Sequence, residues 1–114
     1  MRRRMMKSKI HRATVTGAAL DYAGSISLDT DLMKRADILE FEQVAVLDAD
    51  NGNRFETYAI AGAPGQVQLN GAAARLVEVG HRVIVISYAD YDDDEVASGF
   101  EPLVVKVDAE NRPR

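Results

Sequence analysis

The 114-residue sequence predicts a mainly β fold: a small β-barrel with a few short helical turns, organised as one domain. About six or seven short strand segments follow one another between turns rich in Gly, Pro and Asn. Only two or three helical turns accompany them, which points away from a layered α/β sheet. The longest apolar run, residues 83–86 (Val-Ile-Val-Ile), has the length of a buried strand and is apolar on both faces, as a central barrel strand would be.

Taken in order, residues 9–16 alternate, which predicts a strand with Lys9, His11, Ala13 and Val15 on one side and Ile10, Arg12, Thr14 and Thr16 on the other. Residues 25–28 read as a second short strand, after which Asp29 or Thr30 caps a brief helix through Leu32, Met33 and Ala36. Residues 43–48 form a third strand. Asn51-Gly52 suits the positive φ angles of a type I′ turn, so a hairpin is expected to return along residues 54–61. Residues 62–65, with Pro64, turn the chain into a short strand over 66–69, and the segment NGAAARL from Asn70 reads as a capped helical turn. Gly80 introduces the strand over 82–88. The acidic residues 90–95 are expected to be a solvated helix start, where carboxylates favour the positive end of the helix dipole. Pro102 opens the last strand, residues 103–107.

The composition, 46% hydrophobic and 28% charged, is that of an ordinary globular protein and excludes a disordered chain. No stretch is apolar for long enough to span a membrane, and no apolar region follows Arg2, Arg3 and Arg4 as in a signal peptide, so a cytoplasmic protein without membrane partners is expected. Cysteine is absent, which excludes disulfides, thiolate nucleophiles and zinc–thiolate sites. A formal charge of −4 argues against a general nucleic-acid binder. The basic N-terminal arm, including Arg2, Arg3 and Arg4, is expected to be a frayed terminus continuing into a solvated strand edge.

Walker loops, dinucleotide fingerprints, HExxH and nucleophile elbows are all missing. With only His11 and His81, no metal centre is expected, and His81, beside Gly80 at a turn, reads as a surface residue. The residues that stand out are Lys9 and His11 on one strand face and Arg54, Thr57 and Tyr58 on another strand. Alternation puts Arg54 and Tyr58 on one face and Thr57 on the other, so a site using all three needs a twisted wall or a subunit boundary.

The remaining oddity is Gly24-Ser25. A serine hydroxyl can attack the preceding carbonyl and convert the amide into an ester, provided the backbone is strained there and the oxyanion is held. Glycine leaves that carbonyl open to approach. Loss of the serine α-proton then cuts the chain and leaves dehydroalanine, which hydrolyses to a pyruvoyl group.

The segments KIHRATVT (9–16), LDYAGSISLD (20–29), NGNRFETYAI (51–60) and NGAAA (70–74), in that order and spacing, resemble the pyruvoyl-dependent aspartate 1-decarboxylase family of pantothenate synthesis over nearly the whole chain. The resemblance implies a six-stranded double-psi β-barrel and a homotetramer with active sites between neighbouring subunits. It implies a proenzyme cleaved between Gly24 and Ser25, supported by Thr57, into chains 1–24 and 25–114. Ser25 becomes the covalent pyruvoyl group, which forms a Schiff base with L-aspartate; the α-carboxylate leaves as CO₂ and Tyr58 donates the proton that completes β-alanine. Thr57, Arg54, Lys9, Asn70 and the Gly71, Ala72 and Ala73 backbone match substrate-binding positions, and His11 and Tyr22 match supporting ones. A planar guanidinium suits a carboxylate, and either carboxylate of aspartate satisfies the Arg54 fork.

Three features depart from the family pattern: Asp21 where histidine is frequent, Gly17 where a larger polar residue is usual, and a shortened loop over 62–68. They bear on the cleavage rate and on dependence on an accessory maturation factor. The rival reading is a small swapped-barrel transcription factor whose basic arm contacts phosphates. It leaves Gly24-Ser25 and the Arg54, Thr57, Tyr58 set unexplained, and a catalytically inert acid-binding barrel leaves Gly24-Ser25 unexplained too.

Overall fold

The computed structural model describes all residues, Met1–Arg114. Eight strands form one continuous hydrogen-bonded order: β1 (Arg2–Thr14), β2 (Gly17–Ala19), β3 (Ser25–Asp29), β4 (Gln43–Asp48), β5 (Arg54–Gly62), β6 (Val67–Asn70), β7 (Arg82–Asp92) and β8 (Leu103–Lys106), arranged β2-β6-β3-β5-β4-β7-β1-β8. The strands enclose one core of 19 buried residues, including Ile10, Ile26, Leu28, Val46, Leu69 and Val85, an arrangement consistent with a small β-barrel. Each such side chain, fully buried, contributes roughly 1.5–3 kcal/mol. Two short α-helices, α1 (Thr30–Arg35) and α2 (Asp93–Ala97), and a 3₁₀ helix (Gly71–Leu76) complete the chain. No helix is long and apolar enough to cross a membrane.

The alternation expected along residues 9–16 breaks at Arg12. This residue takes φ 61° and marks a bulge, because Ile10 pairs with Val85 and Ala13 with Val83. The extra residue carries Ile10, Ala13 and Val15 all into the core, although they fall on different faces of a regular strand. Lys9 and His11 precede the bulge and keep the shared, half-buried face expected of them.

The N-terminal arm is a strand, not a frayed end. Arg2, Arg3 and Arg4 pair with Asp92, Tyr91 and Asp90 of β7, which runs further than the apolar pattern indicates. Arg3 Nε lies 3.0 Å from Asp93 and Arg4 Nε 3.3 Å from Asp90, so the acidic run acts as the arm's counter-charge. Only its second half is helical: Asp92 caps α2 by accepting from the Glu95 N–H, and Glu95 accepts from the Asp92 N–H in return.

Asp29 is the cap of α1; its second carboxylate oxygen accepts from Gly65 N–H at 2.8 Å and thereby ties the 62–65 turn to β3. The 49–53 loop is not a type I′ turn, since Gly52 has φ 80° but Asn51 stays negative. The buried Asp48 carboxylate closes that loop by accepting from the Asp50 and Asn51 N–H groups. At the C-terminus, Asn111 is buried and bonds both backbone groups of Thr14 and the Gly65 carbonyl. β2, only three residues long, carries no readable period in the sequence.

Candidate active site

Ser25 opens β3 and is only 2% exposed. It pairs with Asn70 at the end of the antiparallel strand β6. Asn70 sits where the sequence suggests a helix cap, yet its side chain makes no cap bond. Instead its Nδ2 donates to Ser25 Oγ at 2.8 Å and to Ser27 Oγ at 3.0 Å. The Ser25 hydroxyl has its own acceptor, the Ala23 carbonyl, at a long 3.4 Å. Oγ is therefore held next to the Gly24-Ser25 bond by a buried donor, with its proton directed away from that donor.

The backbone beside that bond is packed by Gly71, not strained at Gly24. Gly24 has no positive φ, and a side chain there would meet nothing within 4 Å. Gly71 has φ 66°, and a Cβ on it would lie 2.8 Å from Gly24 Cα, Gly24 N and the Tyr22 carbonyl oxygen. Only glycine allows this approach. The 3₁₀ helix that follows repeats every three residues, which turns Gly71 and Ala74 inward together and leaves Ala72 exposed and Ala73 half-buried. Thr57 comes from β5, parallel to β3 with Ile26 opposite Ala59; continuing that register two residues back sets Thr57 level with Gly24.

Thr57 pairs with the buried Val44 on the core side of β5, whereas Tyr58 pairs with the exposed Gln43 on the other side, the division that alternation predicts. The Tyr58 ring lies 6.4 Å from that of Phe41, centre to centre. Arg54 is exposed at the start of β5, and neither it nor Lys9 forms an ion pair within the chain. Lys9 and His11 stand on β1, with β5, β4 and β7 between it and β3. His11 Nδ1 is buried without a partner. Burial, together with the charges of Lys9, Arg12 and Lys106, lowers its pKa below the ordinary value of 6.5. Tyr22 is 64% exposed. One chain thus gathers Gly24, Ser25, Asn70, Gly71 and Thr57, sets Tyr58 level with Ser25 on the neighbouring strand β5, and leaves Lys9, His11 and Arg54 elsewhere.

The family model for aspartate decarboxylase matches residues 1–114. The chain belongs to the aspartate decarboxylase family. It is 59% identical over 110 residues to the aspartate 1-decarboxylase of Acetivibrio thermocellus, covering 95% of this chain and 86% of that one. It is 56% identical over 115 residues to the aspartate 1-decarboxylase of Thermoanaerobacter pseudethanolicus, covering 99% and 97%. A third relative, the aspartate 1-decarboxylase of Kosmotoga olearia, is 57% identical over 115 residues, covering 99% and 97%.

For a member of the aspartate decarboxylase family, a group of carboxy-lyases, the rival reading as a transcription factor has little left to explain. Of the arginines offered for phosphate contacts, Arg3 and Arg4 are matched by carboxylates of α2 and β7, and Arg2 donates to the Asp90 backbone carbonyl. Three polar side chains near Ser25 escaped the sequence reading: Ser27, Gln66 and Gln68. The signal for the two glutamines is a period of two leading into β6, which sets Gln66, Gln68 and Asn70 on one face. His81 is not a plain surface residue either. Its Nδ1 lies 2.6 Å from the buried Asp48 carboxylate, and that hydrogen bond raises its pKa above 6.5. Asp48, Asp50 and His81 cluster tightly enough to hold a cation, but Asp48 is engaged by loop N–H groups and His81, and Asp50 by the Arg82 N–H.

Proposed function

We propose that this protein decarboxylates L-aspartate at its α-carboxylate to give β-alanine and CO₂ in the cytoplasm, as a step of pantothenate synthesis. We read it as a proenzyme that cuts itself at Gly24-Ser25. The observation that carries this reading is the buried Ser25 hydroxyl, held by Asn70 at 2.8 Å beside a glycine whose backbone is packed by Gly71.

In the cleavage, Ser25 Oγ bonds to the Gly24 carbonyl carbon, the Gly24-Ser25 C–N bond breaks, and the hydroxyl proton passes to the released nitrogen. Thr57, level with Gly24, is the donor we assign to the oxyanion. Loss of the Ser25 α-proton then breaks Cβ–Oγ and frees Gly24 as a carboxylate. Water replaces the nitrogen of the resulting dehydroalanine with oxygen, releasing ammonia and leaving the pyruvoyl group. The surroundings of Ser25 suit this group, because Asn70 and Ser27 offer hydrogen-bonding side chains at an otherwise buried position. Once formed, it supplies an electron-poor carbonyl that takes up the electron pair released as CO₂ departs.

The chain's own residues bind the substrate and move the proton. Arg54 and Lys9 are cations without partners in a chain of net charge −4, and they suit the two carboxylates of aspartate. The Tyr58 hydroxyl delivers a proton to the substrate α-carbon. Lys9 and Arg54 stand away from Ser25 within one chain, which supports a site completed by neighbouring copies in a homotetramer.

Intact mass of the purified protein tests the reading. It is expected to show fragments 1–24 and 25–114, the latter with a terminal ketone, while Ser25→Ala remains one chain and makes no β-alanine. Wild type that stays whole yet decarboxylates aspartate would overturn the cofactor assignment.

A further inference from the structure

Three amide side chains, Gln66 just before β6 and Gln68 and Asn70 on it, form a directed relay. A carboxamide has one donating and one accepting end, and its orientation is set by its partners. Here the first partner is unambiguous: the Ala63 backbone N–H donates to Gln66 Oε1 at 2.8 Å, and a backbone N–H can only donate. Gln66 Nε2 then donates to Gln68 Oε1 at 3.3 Å, and Gln68 Nε2 donates to Asn70 Oδ1 at 2.8 Å. That leaves Asn70 Nδ2 for Ser25 Oγ. Every bond runs the same way, from a fixed main-chain donor to the serine oxygen.

Two glycines make room for the relay. A Cβ on Gly17 would lie 2.7 Å from Gln68 Oε1, and one on Gly62 would lie 2.7 Å from Gln66 Oε1. Neither glycine has a positive φ, so space and not backbone conformation is what they supply. Gly17, one of the departures from the family pattern, thus has a local reason in the side chain of Gln68, its partner across the β2–β6 ladder.

We propose that Gln66 and Gln68 are positioning residues for the self-cleavage: by fixing the Asn70 carboxamide they keep a donor, not an acceptor, against Ser25 Oγ. The inference rests on the reading of Ser25 given above. Its chemical consequence lies in the elimination step, when Cβ–Oγ breaks and negative charge develops on the departing Gly24 carboxylate, of which Oγ is one oxygen. A donor at that oxygen stabilises the charge, whereas a carbonyl oxygen in its place repels it.

The relay makes a parity prediction. A glutamate accepts at both oxygens, so at position 66 or 68 it forces each amide downstream to turn and brings Asn70 Oδ1 to Ser25. The full-length proenzyme is followed by intact mass as it matures, in wild type, Gln68→Glu, Gln66→Glu and Gly17→Ala. Both glutamate variants are expected to cleave about tenfold or more slowly, the loss of one oriented donor being enough for that. Gln66→Glu does so although Gln66 touches neither Ser25 nor Asn70. Because elimination is the affected step, both variants also build up hydroxylamine-sensitive ester between residues 24 and 25, which general destabilisation would not produce. Gly17→Ala displaces only the flexible end of Gln68 and guards against misfolding; about threefold slower cleavage at an unchanged melting temperature is expected. If wild type cleaves and Gln66→Glu or Gln68→Glu cleaves within about twofold of it, the relay is overturned. If wild type does not cleave at all, the reading of Ser25 falls instead.

Discussion

Gly71→Ala is the substitution whose consequence the structure specifies most closely. The new methyl would start 2.8 Å from three backbone atoms of Tyr22 and Gly24, and ordinary contact begins at 3.4 Å, so the two segments must part by about 0.6 Å. The residue must also keep φ 66°, which costs a non-glycine residue roughly 1–2 kcal/mol. Overpacking of this kind adds roughly 1–3 kcal/mol. The sum, about 2–5 kcal/mol, corresponds to a melting temperature lower by about 8–20 °C at roughly 4 °C per kcal/mol for a domain of this size. Gly80→Ala is the control: φ is 93° but nothing lies within 4 Å, so only the backbone cost applies. Thermal melts of the two variants therefore separate the clash from the conformational strain. Displacement next to Gly24 also disturbs the attack geometry, and cleavage of Gly71→Ala followed by intact mass is expected to slow by up to about a hundredfold. Equal melting of the two variants with wild-type cleavage in Gly71→Ala would show that Gly71 is not pressed against the scissile segment.

The other expectations concern separate parts of the molecule. Tyr58→Phe leaves cleavage intact but lowers kcat by roughly a hundredfold or more, as for loss of a proton donor; an unchanged kcat removes Tyr58 from proton transfer. His81 has its folded pKa raised, first by the Asp48 hydrogen bond, so its contribution to stability is fully present below about 6.5 and is lost as pH rises through the folded value. Urea midpoints across pH 5.5 to 9 should show that fall in wild type and lack it in His81→Gln; identical profiles would dismiss the ion pair. Asn111→Ala strands the Thr14 N–H and the Thr14 and Gly65 carbonyls in a buried place, for a loss of about 3 kcal/mol in urea denaturation. A loss under about 1 kcal/mol would mean that the C-terminal turn does not staple β1.

Much of the fold follows from local patterns. The apolar run 83–86, the Asp29 cap and the glycine-rich turns are statements about neighbouring residues, and the β7 strand, the α1 helix and most strand positions follow from them. Where the reading failed, a distant partner had intervened. Arg2, Arg3 and Arg4 look like a loose end until Asp90, Asp92 and Asp93 of the far end of the chain lie beside them. His81 looks exposed until β4 brings Asp48 to it. Arg12 gives no local sign of the bulge that re-aims Ala13 and Val15.

The candidate site divides the same way. That Ser25 follows Gly24, that Tyr58 and Thr57 face opposite ways, and that Lys9 and His11 share a face are consequences of chain order and the two-residue period of a strand. That Asn70 turns from the helix end to Ser25, that Gly71 and not Gly24 bears the unusual backbone angle, and that two glutamines orient the asparagine became visible only in three dimensions. The physical reason is range. Periodicity and turn chemistry act over a few residues, whereas the contact of Asn70 with Ser25 and the necessity of Gly71 depend on atoms forty or more positions away in the chain, placed there by strand pairing.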